Sequence, residues 1–455
     1  MPVSPARAAA FDILLRVERE SSYASELLHS ASYENLCHSD HALTTELVMG
    51  VLRWRSRLDE EIAGTSSQAL GKLDIEILIA LRLALYQFRW LTRVPARAAL
   101  HESVELVKRA RKSSAAPFVN AVLRKLSAKP GENRSVSDDQ DSSPEVLAAA
   151  FSHPVWLVER WVREFGSDAA HQICQYDQSV PSTIIRLRTP EAASELTAEG
   201  IALAPADLLS SAQRIEAGDI TATQAFRQGR VVIQDAGSQL VAALMGRADQ
   251  GEGDRILDCC AAPGGKTLAI ADRNPRSLIT AVEIHPHRAR LMKNLLSSDA
   301  TIPSAQIHIV AADVRHLPVS QTFDRVLADV PCTGTGTLSR NPEIKWRLTD
   351  DDLQELRQIQ LGILRFALHY VAPGGRLVYS TCSLEREEND DVVETILAED
   401  KSFRLVHCGA ELDRLKADGE VRWADTASLV RGSYLRTIPG VHPCDGFFAA
   451  IIERV

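Results

Sequence analysis

Nothing in this chain approaches the roughly 20 consecutive apolar residues that a membrane span needs. Its start, Met1-Pro2-Val3-Ser4-Pro5-Ala6-Arg7, carries no apolar secretory core. Eight cysteines, two of them adjacent (Cys259 and Cys260), show neither disulfide nor zinc-ligand spacing. A disulfide scaffold, a bound metal and a Cys-x-x-Cys redox site are therefore not expected, and a reducing cytoplasm is. No internal repeat is visible. A basic excess is missing too: the net charge is −9, which excludes a wholly basic nucleic-acid binder and leaves local patches to decide that question. What is present is an ordinary globular composition, 45% hydrophobic and 24% charged, long enough for two to four domains.

Three textures divide the chain. Residues 1–129 read as helical, with Ala8, Phe11, Leu14, Leu15 and Val17 at helical spacing and a dense apolar stretch from Leu73 to Trp90 that suits a central bundle helix. Residues 130–143 are polar without periodicity and read as a linker. Residues 144–230 read as a small α+β region, with a helix from Pro154 to Phe165 and a strand from Ser182 to Leu187. Residues 231–455 alternate strand and helix patterns, with strands at Arg255–Cys259, Leu278–Glu283, Gln306–Ala311, Phe323–Ala328 and Arg376–Ser380. That alternation predicts an α/β domain with a doubly wound, Rossmann-like parallel sheet.

The chemistry-bearing residues fall at the carboxyl ends of those strands, where open parallel sheets bind ligands. Asp258-Cys259-Cys260-Ala261-Ala262-Pro263-Gly264-Gly265-Lys266-Thr267 is a strand running through a tight turn into a helix. Small residues there admit a ligand close to the backbone. Nineteen residues after Gly264, Glu283 ends the next strand, where a carboxylate can accept both ribose hydroxyls of a nucleoside. Asp313 follows the third strand and is expected to meet the base. Gly265-Lys266-Thr267 also matches the end of a phosphate-binding loop, but the glycine that motif needs five residues earlier is Cys260. Two thiols complete the edge: Cys332 in Asp329-Val330-Pro331-Cys332, and Cys382 in Ser380-Thr381-Cys382-Ser383. Position alone does not tell them apart. Cys37, Cys174, Cys408 and Cys444 read as structural.

Cys260 to Lys266, Asp329 to Gly334, Arg340 to Trp346 and Thr381 to Ser383 together resemble, in order, the signature blocks of S-adenosylmethionine-dependent RNA cytosine-5 methyltransferases. Thr45 to Arg53 and Phe118 to Arg124 resemble the RNA-binding factor NusB. The fusion is similar to the bacterial 16S ribosomal RNA methyltransferases of the RsmB (Sun/Fmu) type. The resemblance implies a NusB-like helical domain ahead of a methyltransferase domain, and an RNA-recognition-like fold for the small region between them. It makes Cys382 the nucleophile that adds to cytosine C6 and Cys332 the residue that assists release. Asp329 would recognise the cytosine, and Cys260, Ala261, Ala262, Pro263, Gly264, Gly265, Lys266, Glu283, Asp313 and Asp329 would hold S-adenosylmethionine. Glu283 stands where relatives often carry aspartate.

Lys345 is expected at the substrate or the site's carboxylate, and Lys266 beside an acidic residue of the site. The expected partner is 16S ribosomal RNA, naked or in an early assembly intermediate, with no membrane contact and a monomeric chain. Transfer RNA, or a non-catalytic RNA-binding role, are the alternatives. The basic stretch Arg97 to Lys129 is expected to meet backbone phosphates, with Arg186 and Arg188 adding contacts.

Overall fold

The computed structural model describes residues 3–20, 22–33, 35–129, 143–247, 253–297, 306–317 and 321–455. Most of the expected linker lies outside the described residues. The chain forms two compact units, residues 1–180 with Leu338–Arg347, and residues 181–337 with 348–455.

The first unit is helical. Its centre is the helix Ile75–Trp90, buried without interruption from Ile77 to Gln87, as expected of a helix apolar on all sides. The helices Pro5–Glu20, His38–Arg53, Ala96–Arg109 and Ala116–Ala128 share its core. One close approach depends on a glycine: a Cβ on Gly50 would lie 2.0 Å from the Tyr86 ring. Arg82, buried in the central helix, is tied to both oxygens of Asp59 at 2.7 Å and to Glu18 at 3.1 Å. The helices Pro144–Ala150, Val155–Phe165 and Ser167–Gln178 belong to this unit. The region expected to run as one body from 144 to 230 is thus divided: its helices up to Gln178 cluster with the amino-terminal bundle, and its strands, with the helices Glu191–Ala198 and Gln224–Arg227, belong to the second unit.

The second unit holds two sheets. In the smaller, β1 (Ile184–Leu187), β2 (Ala202–Pro205), β3 (Ala212–Ala217) and β4 (Val231–Ile233) pair antiparallel in the order β2-β3-β1-β4. The larger contains β5 (Arg255–Asp258), β6 (Leu278–Glu283), β7 (Ile307–Ala311), β8 (Phe323–Asp329) and β9 (Val371–Thr381), all parallel in the order β9-β8-β5-β6-β7. Beyond β9 lies antiparallel β13 (Phe448–Arg454), which pairs with both β10 (Phe403–Val406) and β12 (Tyr434–Arg436); β11 (Val430–Arg431) edges β12.

Both faces of this sheet are covered, and strand alternation sorts the side chains. Ile256, Leu327, Val378 and Ile451 enter one core, while Leu257, Val326, Leu377 and Ile452 enter the other. The strand order reverses between β5 and β8, which puts a ligand crevice at their carboxyl ends. No helix among the described residues is long and apolar enough to cross a membrane.

Candidate active site

Sheet register gathers the site. Asp258 ends β5, Glu283 ends β6 opposite Ala311, and Asp329 ends β8 opposite Ser380 of β9. The turn after β5 contains a cis Ala262–Pro263 bond and then Gly264 at φ +109°, a left-handed conformation that favours glycine. The helix Gly265–Arg273 starts there. Cys260 sits amid the acids: burial and the charges of Asp258, Asp329, Glu283 and Asp313 push its thiol far above its ordinary value. The turn and the carboxylates expected from sequence are therefore brought together.

Each carboxylate has a distinct setting. Glu283 is 4% exposed and accepts the His285 N–H at 2.9 Å. Asp313 is occupied by Arg315, with Nη2 to Oδ2 at 2.6 Å, and this pairing draws its carboxyl below the usual range. Asp258 accepts the Thr267 hydroxyl at 2.7 Å, and burial pushes it up to about 7. Asp329 accepts Lys266 Nζ at 2.7 Å on one oxygen and the Ser380 hydroxyl at 2.7 Å on the other. Burial pulls the Lys266 ammonium down, but the charge and hydrogen bond of Asp329 outweigh it, so the net shift is upward. The lysine is thus committed to a carboxylate of the site.

The two strand-end thiols meet, with Cys332 Sγ 3.4 Å from Cys382 Sγ. The hydrogen bond to Cys382, and then burial, push the Cys332 thiol well above its ordinary value. Residues not singled out in the sequence hold this pair. Glu388, buried, accepts the Thr333 N–H and the Gln360 amide, each at 2.9 Å, fixing the residue after Cys332. Gly336 donates to the Cys382 carbonyl at 2.8 Å, and a Cβ on it would stand 2.2 Å from the Gly446 carbonyl oxygen. The Phe447 ring lies 5.2 Å from Lys266 Nζ. Ser380 had a usable signal, standing two residues before Cys382; Glu388 and Phe447 had none, since only tertiary packing delivers them.

Lys345 is elsewhere. It is 1% exposed inside the helical unit and donates to the Arg53 carbonyl at 3.1 Å. Burial lowers its ammonium to about 7. The expectation that it reaches the site's carboxylate fails because the segment Leu338–Arg347 packs with the amino-terminal helices: Glu343 accepts the Ala24 N–H at 2.8 Å and Trp346 donates to the Leu52 carbonyl at 2.6 Å. Cys174, Cys408 and Cys444 are buried, but Cys37 is exposed. Arg186 and Arg188 both bind Asp272.

Residues 247–453 match the 16S rRNA methyltransferase RsmB/F family and residues 4–128 the NusB family. The probable ribosomal RNA small subunit methyltransferase B of Bacillus subtilis is 33% identical, with all of both chains covered. The chain belongs to the RsmB/F methyltransferase family. The ribosomal RNA small subunit methyltransferase B of Vibrio cholerae is 31% identical over 98% of this chain and 97% of its own. Among solved structures, PH0851 covers all of both chains at 22% identity with a TM-score of 0.78. A methyltransferase homologue from Pyrococcus horikoshii matches 70% of this chain and all of its own, at 24% identity and a TM-score of 0.56. Both show the family's fold.

Proposed function

We propose that this enzyme methylates C5 of a cytosine in 16S ribosomal RNA, with S-adenosylmethionine as donor and Cys382 as nucleophile. The observation that carries the reading is the 3.4 Å contact between Cys332 and Cys382 beside the Lys266–Asp329 pair. The residues at the turn fit the donor. Ala261, Ala262, Gly264 and Gly265 leave the backbone accessible, Glu283 is placed for a ribose diol, and the converging carboxylates suit a sulfonium cation and oppose a polyphosphate. When bound, the donor supplies an electrophilic methyl group.

Cytosine C5 is too weak a nucleophile to take that methyl unaided. Addition of the Cys382 thiolate to C6 forms an S–C bond and moves electron density to C5, which would then take the methyl as its bond to the donor's sulfonium sulfur breaks and leaves a neutral thioether. Loss of the C5 proton to a base and elimination of Cys382 restore the aromatic ring. The hydrogen bond between the sulfurs and burial hold Cys332 as a thiol, which fits Cys382 as the nucleophile, and Lys266 is bound to Asp329 beside the pair. Asp329, steered by Lys266 and Ser380, is the group to meet the base edge of the cytosine. Asp313 would face the adenine while sharing its carboxylate with Arg315. The target must be an unstacked base, and the exposed cations Arg97, Arg111, Arg124 and Lys125 suit phosphate contacts on the RNA.

Incubation with 16S RNA and labelled donor tests the reading. Cys382→Ala should lose both turnover and the covalent adduct, whereas Cys332→Ala should accumulate an adduct that resists denaturing electrophoresis. Methyl transfer surviving in the double variant would overturn it.

A further inference from the structure

A second polar cavity lies away from the thiols, within the same unit. It measures about 430 Å³ and is lined by Arg186, Arg188, Asp272, Arg273, Arg247 and Glu420 among others, a size in the range of small-molecule sites. The helix that begins at the site's turn ends here at Arg273. Ala269, Asp272 and Arg273 of that helix all line it.

The charges do not balance. Four guanidinium groups face two carboxylates, and those six are all the charged residues of the lining. Asp272 takes Arg188 through two nitrogens at 2.6 and 2.9 Å and also takes Arg186, so its oxygens are shared. Glu420 takes Arg247 at 3.0 Å and Arg273. Arg186 is 6% exposed; its Nε donates to Gln234 at 3.1 Å, yet its Nη2 is buried with no hydrogen-bond partner. The Nε of Arg273 is likewise buried and unpaired. An excess of two positive charges around an open cavity suits an oxyanion.

We propose that this cavity is a phosphate site, filled by a phosphodiester of the RNA or by a free phosphate. Arg186, Arg188 and Arg273 of the lining supply its positive charge, and Arg247, more than half exposed at its side chain, would meet the anion from solvent. The RNA source rests on the function proposed above; the phosphate chemistry does not.

Titration calorimetry of the full chain with inorganic phosphate tests it, together with 16S RNA affinity measured across salt concentrations. The wild type should bind one phosphate, and Arg186→Gln should weaken that at least tenfold. Ser210→Glu, at an exposed lining residue whose side chain takes no part in the ion pairs, places a negative charge at the cavity and should weaken it similarly without unfolding the chain. If the RNA is the source, both variants also lower the salt slope of RNA binding by about one; an unmoved slope with lost phosphate binding assigns a free phosphate. Phosphate binding retained by both variants, or no phosphate binding together with an unmoved slope, overturns the site. Neither measurement requires methyl transfer, so this proposal and the assigned reaction fail separately.

Discussion

Two lysines, one in each unit, are withdrawn from water and end in opposite electrostatic states. Lys266, its side chain 15% exposed, has Asp329 at 2.7 Å and is held as an ammonium. Lys345, 1% exposed, has a backbone carbonyl as its near partner, with Asp177 acting only through space, and falls to about 7. Burial is common to both; what separates them is a carboxylate in contact. The difference assigns work to each. A fixed ammonium can hold Asp329 in place at the strand ends, whereas a lysine near neutrality inside a helical bundle fills space and ties one segment to another.

The sharpest way to break that contrast is to remove each charge. Lys266→Met should cut methyl transfer about 100-fold or more, the scale of losing one preorganised charged group, while Lys345→Met should leave kcat within a few-fold. An equal loss in both would put Lys345 back at the substrate.

Stability against pH should separate the units next. Asp258, raised to about 7 by burial, keeps its proton in the folded chain when the unfolded chain has lost it, so its contribution falls as pH rises from about 4 to 7. Lys345 works in the other direction: between about 7 and 10.5 the unfolded chain holds the proton and the folded one does not, so stability rises with pH. Each slope is bounded by about 1.4 kcal/mol per pH unit. Denaturant melts of Asp258→Asn and Lys345→Met should each flatten one limb; an unchanged limb would refute that assignment.

The smallest effect concerns packing behind the thiols. Gly336→Ala should cost about 1–3 kcal/mol, because the added methyl meets the Gly446 carbonyl, and should slow adduct formation as Cys332 and Cys382 are displaced. Thermal melts with adduct yield check it.

Much of this was legible in the sequence because the relevant signals are local. The turn from Cys260 to Lys266 announces itself through small residues after an apolar strand, and β5 to β8 fall within one residue of their expected bounds, whereas β9 starts five residues before the expected Arg376. The expectation that Lys266 meets an acid held, with Asp329 as the acid. Long-range choices were not legible. Nothing in Glu385-Arg386-Glu387-Glu388 marks one glutamate as buried beneath Thr333. Nothing in Arg340 to Trp346 says that the segment leaves the sheet unit for the helices. The small region from 144 to 230 looked continuous because its elements are adjacent in sequence, while the chain passes at Val180 from one unit to the other, where Ala192 and Leu196 of a later helix share a core with Ile185 and Val231.

That excursion of Leu338–Arg347 has a temporal side. A ribosome releases residues 1–180 first, yet the helical body cannot be completed until residues 181–337 have emerged and Glu343 and Trp346 arrive to bond at Ala24 and Leu52. A gene fragment ending before residue 338 therefore encodes the helical unit without the segment that bonds at Ala24 and Leu52.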